Sequence, residues 1–141
     1  MSTYLNATPE AGKTFYLEYK DAGAITMLNL LRFRAEADYS QYEALRPSTP
    51  ITGRAAYERY LAGIRPCFAQ IGSRIIYQGT SAEFLIGPTE ERWDMVLLVE
   101  HPSVAQFMAL AQDAAFLQQA GHRVAAVADS RLLPSVTELL G

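Results

Sequence analysis

The chain is poor in the residues that announce the commoner chemistries. It has one cysteine, Cys67, and two histidines, His101 and His122, in 141 residues. A single thiol excludes an internal disulfide framework. The three residues also lack metal-ligand spacing, so no metal is expected. Lysine and arginine number 12 against 15 acidic residues, a net charge of −3. That balance has no basic footprint, so neither nucleic acid nor an anionic membrane surface is an expected partner. Long apolar runs are missing. None exceeds the length of Met95–Val99, which falls far short of the ~18 residues of a membrane span. The first residues carry neither a basic stretch nor an apolar stretch of the signal type, so a soluble cytoplasmic protein is the expectation. Asn6-Ala7-Thr8 then reads as a chance glycosylation match. Gly72, Gly79 and Gly87 are single turn glycines rather than a phosphate loop. No nucleophile elbow is present, and only the two histidines could ligate a haem. No cofactor is expected.

What remains is a chain built to fold. Half of its residues are hydrophobic and 19% are charged, which supports one packed domain at about 100–200 residues per domain. Thr8-Pro9-Glu10 is a helix start, with an N-cap, a proline in the first turn and an acidic residue at the positive end of the dipole. The first helix is placed at 9–20. Ala24–Phe33 reads as a strand with apolar residues on both faces. Residues 34–53 form a long polar connection, a flap or the bearer of a short helix around Tyr39–Leu45. Arg54–Gly72 is the clearest helix: Tyr57, Tyr60, Leu61, Ile64, Cys67, Phe68 and Ile71 recur at steps of three and four. Thr52 is its N-cap and Gly72 its terminator, and Pro66 is expected to bend it. Cys67 lies on the inner face and reads as a core thiol.

Strands follow at Arg74–Gln78, Ala82–Ile86 and Arg92–Glu100. In the last, Trp93, Met95, Leu97 and Val99 share one face. Ser103 with Gln106 is a capping box opening a helix to about Ala111. Asp113 opens another, ending near Gly121. Residues 122–127 continue as a helical or irregular turn, and Asp129–Pro134 closes as a strand. The organisation is an N-terminal helical extension (1–23), a domain (24–134) and a tail (135–141).

Without the first helix and one hairpin, this order is βαββαβ, the ferredoxin-like split unit, an α+β fold with helices on one face of an antiparallel sheet. The second face would normally be polar. Leu28, Leu30, Val96 and Leu98 make it apolar, and no helices are left to cover it. The economical cover is a second copy of the same sheet, giving a homodimer through sheet faces.

Met27-Leu-Asn-Leu-Leu-Arg-Phe33, Tyr57-Glu-Arg-Tyr60, Glu91-Arg-Trp-Asp94, Gly121-His-Arg123 and Asp129-Ser-Arg-Leu132 resemble the domain-of-unknown-function family DUF1330, over roughly residues 24–134. The resemblance implies a dimeric α+β barrel made from two sheets. It implies no reaction. Sister families of that barrel include cofactor-independent monooxygenases, haem-degrading enzymes, muconolactone isomerases and stress-response dimers, an analogy at the level of fold alone.

Several residues could carry chemistry. His122 titrates near neutrality and could act as a general acid or base; equally it could cap the preceding helix. Asn29 puts an amide in an apolar strand, either to orient a ligand carbonyl or to satisfy nearby backbone. Arg32, Arg123 and Arg131 could hold a carboxylate or form ion pairs. Asp129 could orient His122, pair Arg123 or serve a turn, and Asp94 could make a structural pair. Tyr57 and Trp93 are core aromatics that could also face a cavity. The leading expectation is a small organic molecule bound between sheet and helices, against Asn29, Tyr57, Trp93 and His122, with 34–53 as a lid. The alternatives are a cofactor-independent isomerase or monooxygenase using His122 as acid/base, and a structural dimer without a ligand.

Overall fold

Side-chain caps set the helix starts. In the computed structural model, which describes residues 2–138, Thr8 Oγ1 accepts from Ala11 N at 3.1 Å and Thr52 Oγ1 from Ala55 N at 3.0 Å. Ser103 Oγ accepts from Gln106 N at 3.1 Å and Asp113 Oδ1 from Phe116 N at 3.0 Å. Each satisfies an amide that the first helical turn leaves unpaired. The helices are α1 (Pro9–Tyr19), α2 (Gly53–Ile71), α3 (Val104–Leu110) and α4 (Ala114–Ala126). Gly72 ends α2 in the left-handed region, at φ 79°, where a side chain would be strained. The helix runs through Pro66 unbroken.

The strands are β1 (Ile25–Phe33), β2 (Arg74–Thr80), β3 (Met95–His101) and β4 (Val127–Ser135). They form one antiparallel sheet in the order β2-β3-β1-β4. With α2 between β1 and β2, and α3 and α4 between β3 and β4, this is the expected ferredoxin-like α+β unit. Ile25, Met27 and Leu31 of β1 and Met95, Leu97 and Val99 of β3 are buried on the helix side. The main core joins Leu31, Met95, Leu97 and Val99 to Tyr57, Tyr60, Leu61, Ile64 and Phe68 of α2. A smaller cluster seats Phe15 and Tyr19 of α1 and Phe107 of α3 on Ile25 and Met27.

The opposite face carries a continuous apolar row. Leu28 pairs with Leu98 on one side and Leu133 on the other, and Leu98 pairs in turn with Tyr77. The next row places Val96 beside Leu30. Leu133 is 60% exposed and Tyr77 53%, and Leu28, Leu30, Val96 and Leu98 are half-buried.

Three expectations need correction. Residues 82–86 are not a strand: only the isolated bridge Glu83↔Arg92 forms there, and Leu85 and Ile86 stand almost wholly exposed. The fourth helix does not end near Gly121 but continues to Ala126, and β4 starts at Val127 with no intervening loop. Gly121 is a packing glycine, since a Cβ there would meet the Tyr42 ring at 2.6 Å and Leu45 at 2.7 Å. The tail expected at 135–141 begins inside β4 at Ser135, and residues 139–141 lie outside the described residues. The connection 34–53 holds a single 3-10 turn, Glu43–Leu45. At the N-terminus, the Tyr4 carbonyl accepts from Ser130 N at 3.0 Å, which ties the segment before α1 to the edge strand β4.

Candidate functional site

The expected site residues fall into separate places. His122, buried in α4, shares a hydrogen bond of 2.8 Å between its Nδ1 and the Tyr39 hydroxyl. Burial, assisted by the Arg59 charge, pushes its pKa below the ordinary histidine value, so the ring is neutral at pH 7. Burial also raises the Tyr39 hydroxyl. Tyr39 belongs to the 34–53 connection, so the pair anchors that segment onto α4 and leaves His122 one ring nitrogen for other work. Asn29 Nδ2 donates to the carbonyls of Met27 and Leu97, both at 3.4 Å. Tyr57 sits in the core, its ring 5.3 Å from both the Phe33 and Tyr60 rings. Burial raises its hydroxyl strongly, and that of Tyr60 to about 12. Arg123 is the nearby cation of both tyrosines. Its Nη1 donates to the Leu5 carbonyl at 3.0 Å, a second tie to the N-terminal segment.

Trp93, Arg32 and Asp129 do come together, around Arg131. Asp129 is 1% exposed. It accepts from Tyr4 N at 2.8 Å, Ser130 N at 2.9 Å, Arg131 Nη1 at 2.8 Å and, more weakly, Arg32 Nη2 at 3.5 Å. Burial alone would raise its pKa, but these hydrogen bonds outweigh it and hold the carboxyl below the usual range. Arg131 also pairs with Glu91 at 3.1 Å. Its guanidinium lies 4.9 Å from the Trp93 ring centroid and 4.8 Å from that of Tyr4, within cation–π range. Trp93 therefore leaves the row of Met95, Leu97 and Val99 and packs outside the main core. The arrangement is saturated. Every Asp129 contact serves the fold, although Trp93 Nε1 is buried with no partner among the described residues.

Sequence reasoning passed over a second buried pair. Ser73 Oγ and His101 Nδ1 are 2.7 Å apart, and His101 packs edge-on to Phe68 and Phe107. Alternation along β3 could have found it, because His101 follows Met95, Leu97 and Val99 at even steps onto the helix side. Burial lowers its pKa to about 4, so it is neutral in the fold and far from a base poised at neutral pH. This sets a pH dependence. Between about pH 6.5 and 4 the unfolded chain binds a proton at this position that the native chain refuses, so stability falls as pH falls through that window. His122 contributes in the same direction. Urea midpoints should report a loss on the order of 2 kcal/mol between pH 7 and pH 4, and His101→Gln should flatten most of it. An unchanged midpoint from pH 7 to 5 in the native chain would contradict this.

Among the described residues, two open clefts of about 410 Å3 each indent the surface. One lies beside Ser73, between α2 and β2, with Arg65, Phe68 and Gln78 in its wall. The other lies at the end of the sheet, where β1, β2, the approach to β3 and the start of α2 converge. Phe33, Arg34, Thr52, Arg54, Arg92 and Asp94 line it. Asp94 is committed, its Oδ2 accepting from Phe33 N at 2.8 Å. Among the described residues no cluster of histidine, cysteine or carboxylate side chains could hold a metal, and no helix is long and apolar enough to cross a membrane. Cys67 is buried, and burial raises its thiol pKa, in keeping with a core residue.

Comparison with known proteins agrees with the fold and names no activity. The family described as "Domain of unknown function (DUF1330)" matches residues 47–134. The crystal structure of the methylated RPA0582 protein is 34% identical, covers 100% of this chain and 99% of its own, and superposes with a TM-score of 0.86. A second crystal structure of RPA0582, a protein of unknown function from Rhodopseudomonas palustris, is 34% identical over 99% of this chain and all of its own, with a TM-score of 0.85. A dimeric protein of unknown function and ferredoxin-like fold from Bacteroides fragilis is 11% identical over 82% of this chain and 97% of its own, with a TM-score of 0.50. No curated protein sequence matches the chain.

Proposed function

The chain belongs to the DUF1330 family, and we propose that it works as a homodimer joined through the open faces of its two sheets, each protomer offering the cleft at the end of the sheet to a small organic molecule. The observation that carries the reading is the apolar row Leu133–Leu28–Leu98–Tyr77 with Leu30 and Val96 beside it. A sheet in water normally puts polar residues on its solvent face. Pairing two such faces removes apolar area from water at roughly 25 cal/mol per Å2. A two-fold axis lets one patch cover itself, so a single surface suffices. The Bacteroides fragilis protein of like fold is described as dimeric, which supports association of two copies. For the ligand, the support is a cleft of about 410 Å3, within the size range of small-molecule sites. The space between sheet and helices, where the sequence suggested a pocket, is occupied by core side chains.

Sedimentation equilibrium of the native chain tests the pairing. The expected mass is twice 15.6 kDa at micromolar concentration. A species of 15.6 kDa under those conditions would sink the proposal.

A further inference from the structure

Among the described residues, Arg34 is the cation with a buried side-chain nitrogen left unpaired. Its Nε is buried and has no hydrogen-bond acceptor among the described residues. No carboxylate among them lies within salt-bridge distance of its guanidinium, although Asp38 is near enough to feel its charge. A buried N–H without an acceptor is costly, and native structures rarely leave one without a reason. Arg34 lines the cleft at the end of the sheet with Arg54 and Arg92. The partners of those two are loosely held: Arg54 Nε lies 3.6 Å from Glu58, and Arg92 Nη1 lies 3.3 Å from Glu83, all on exposed side chains. Exposed pairs of this kind exchange readily for a better acceptor. The one carboxylate in the lining, Asp94, is held by the Phe33 amide. The Phe33 ring gives the cleft an apolar wall, with the Arg54 guanidinium 5.9 Å from its centroid.

We infer that this cleft binds a small organic oxyanion, a carboxylate or a phosphate ester, through Arg34 and Arg54, with Arg92 at the rim and the apolar part of the ligand against Phe33. The planar guanidinium fork matches both oxyanions bidentately. The start of α2, capped at Thr52, adds a favourable dipole at the same place. This rests on the reading of the cleft as a ligand site and adds the charge class of the ligand; it does not depend on sheet pairing.

Isothermal titration of the native protein with benzoate, phenyl phosphate and neutral benzamide at low salt tests it. Benzoate or phenyl phosphate should bind saturably, and the ratio of their affinities separates a carboxylate ligand from a phosphate one. Benzamide should bind at least roughly tenfold more weakly. Arg34→Gln and Arg54→Gln should each weaken the preferred oxyanion by about tenfold or more, whereas Arg65→Gln in the other cleft should leave it unchanged. If Arg34→Gln fails to fold, the exposed Arg54 decides. Benzamide binding as tightly as benzoate would overturn the charge class and leave the cleft as a site. Binding by none of the three would overturn both. Oxyanion binding that survives Arg34→Gln and Arg54→Gln would overturn this assignment.

Discussion

Leu98→Asp should convert the proposed dimer into a folded monomer of 15.6 kDa. Leu98 lies on β3, a central strand, with Leu28 on one side and Tyr77 on the other. Its side chain points away from the helices, so an aspartate there meets solvent in a lone protomer and costs the fold little. Between two sheets the same carboxylate would be stripped of water with no cation opposite. The penalty is several kcal/mol per ion, and two-fold symmetry imposes it twice. The lost leucine contact adds about 1.5–3 kcal/mol. These terms together exceed the margin of most dimers in the micromolar range, about 8 kcal/mol. Sedimentation velocity reads the mass, and far-UV circular dichroism checks that the fold is kept. A variant that still sediments as a dimer would mean that the protomers meet elsewhere. Leu28→Asp, across the pair, should act alike.

The same alternation makes most of the fold legible in the sequence. Ile25, Met27 and Leu31 against Leu28 and Leu30 give β1 two apolar faces, and the local signals Thr8, Thr52, Ser103 and Asp113 each cap the helix expected of them. Caps are legible because donor and acceptor lie within three residues. Strands are less so. Phe84-Leu85-Ile86 has strand-forming side chains, yet it extends past the sheet, where no neighbouring strand or core rewards pairing, and only one bridge survives. Gly121 failed for a related reason. A glycine after an apolar stretch signals a helix end, but here it admits Tyr42 and Leu45 from a segment about 80 residues earlier. A stop and a close approach look the same until the neighbour is known.

The candidate site was legible in residue type and not in grouping. Arg32, Asp129 and Trp93 stand out singly in the sequence; β1–β4 register sets Arg32 opposite Asp129 and Leu30 opposite Arg131, and that register is not written in either strand alone. His122 reads in the sequence as an acid or base, while its partner Tyr39 comes from 83 residues away. The arginine cleft drew residues from four parts of the chain. Arg34 and Arg54 sit in polar stretches where arginine is ordinary, so only the topology distinguishes them from surface charge.

Gly53→Ala should be the most damaging small substitution in the chain. Gly53 opens α2, and its N–H donates to the Arg34 carbonyl at 3.1 Å, while Arg34 N donates to the Ala126 carbonyl at 2.8 Å. The end of β1, the end of α4 and the start of α2 thus meet backbone to backbone. An added Cβ would press on the Arg34 carbonyl oxygen, with Ala126 O at 2.7 Å and Arg34 N at 2.8 Å. Flexible side chains can swing away from an intruding methyl; backbone already committed to two hydrogen bonds cannot. Overpacking costs typically 1–3 kcal/mol. The upper end applies here, and breaking one of the bonds adds about 1 kcal/mol. Alanine's better helix propensity returns at most about 1 kcal/mol. A net loss of about 3 kcal/mol corresponds to a melting temperature lower by roughly 10 °C in a domain of this size. Gly12→Ala is the control. It makes the same change inside a helix, in α1, where a Cβ meets nothing within 4 Å, so it should raise stability by up to about 1 kcal/mol. Opposite signs in the two melts would assign the effect to the three-way junction. A Gly53→Ala protein melting within about 2 °C of the native one, below 1 kcal/mol on the same scale, would show that the junction can open. The Arg34 cleft that it braces would then be less rigid than its geometry requires.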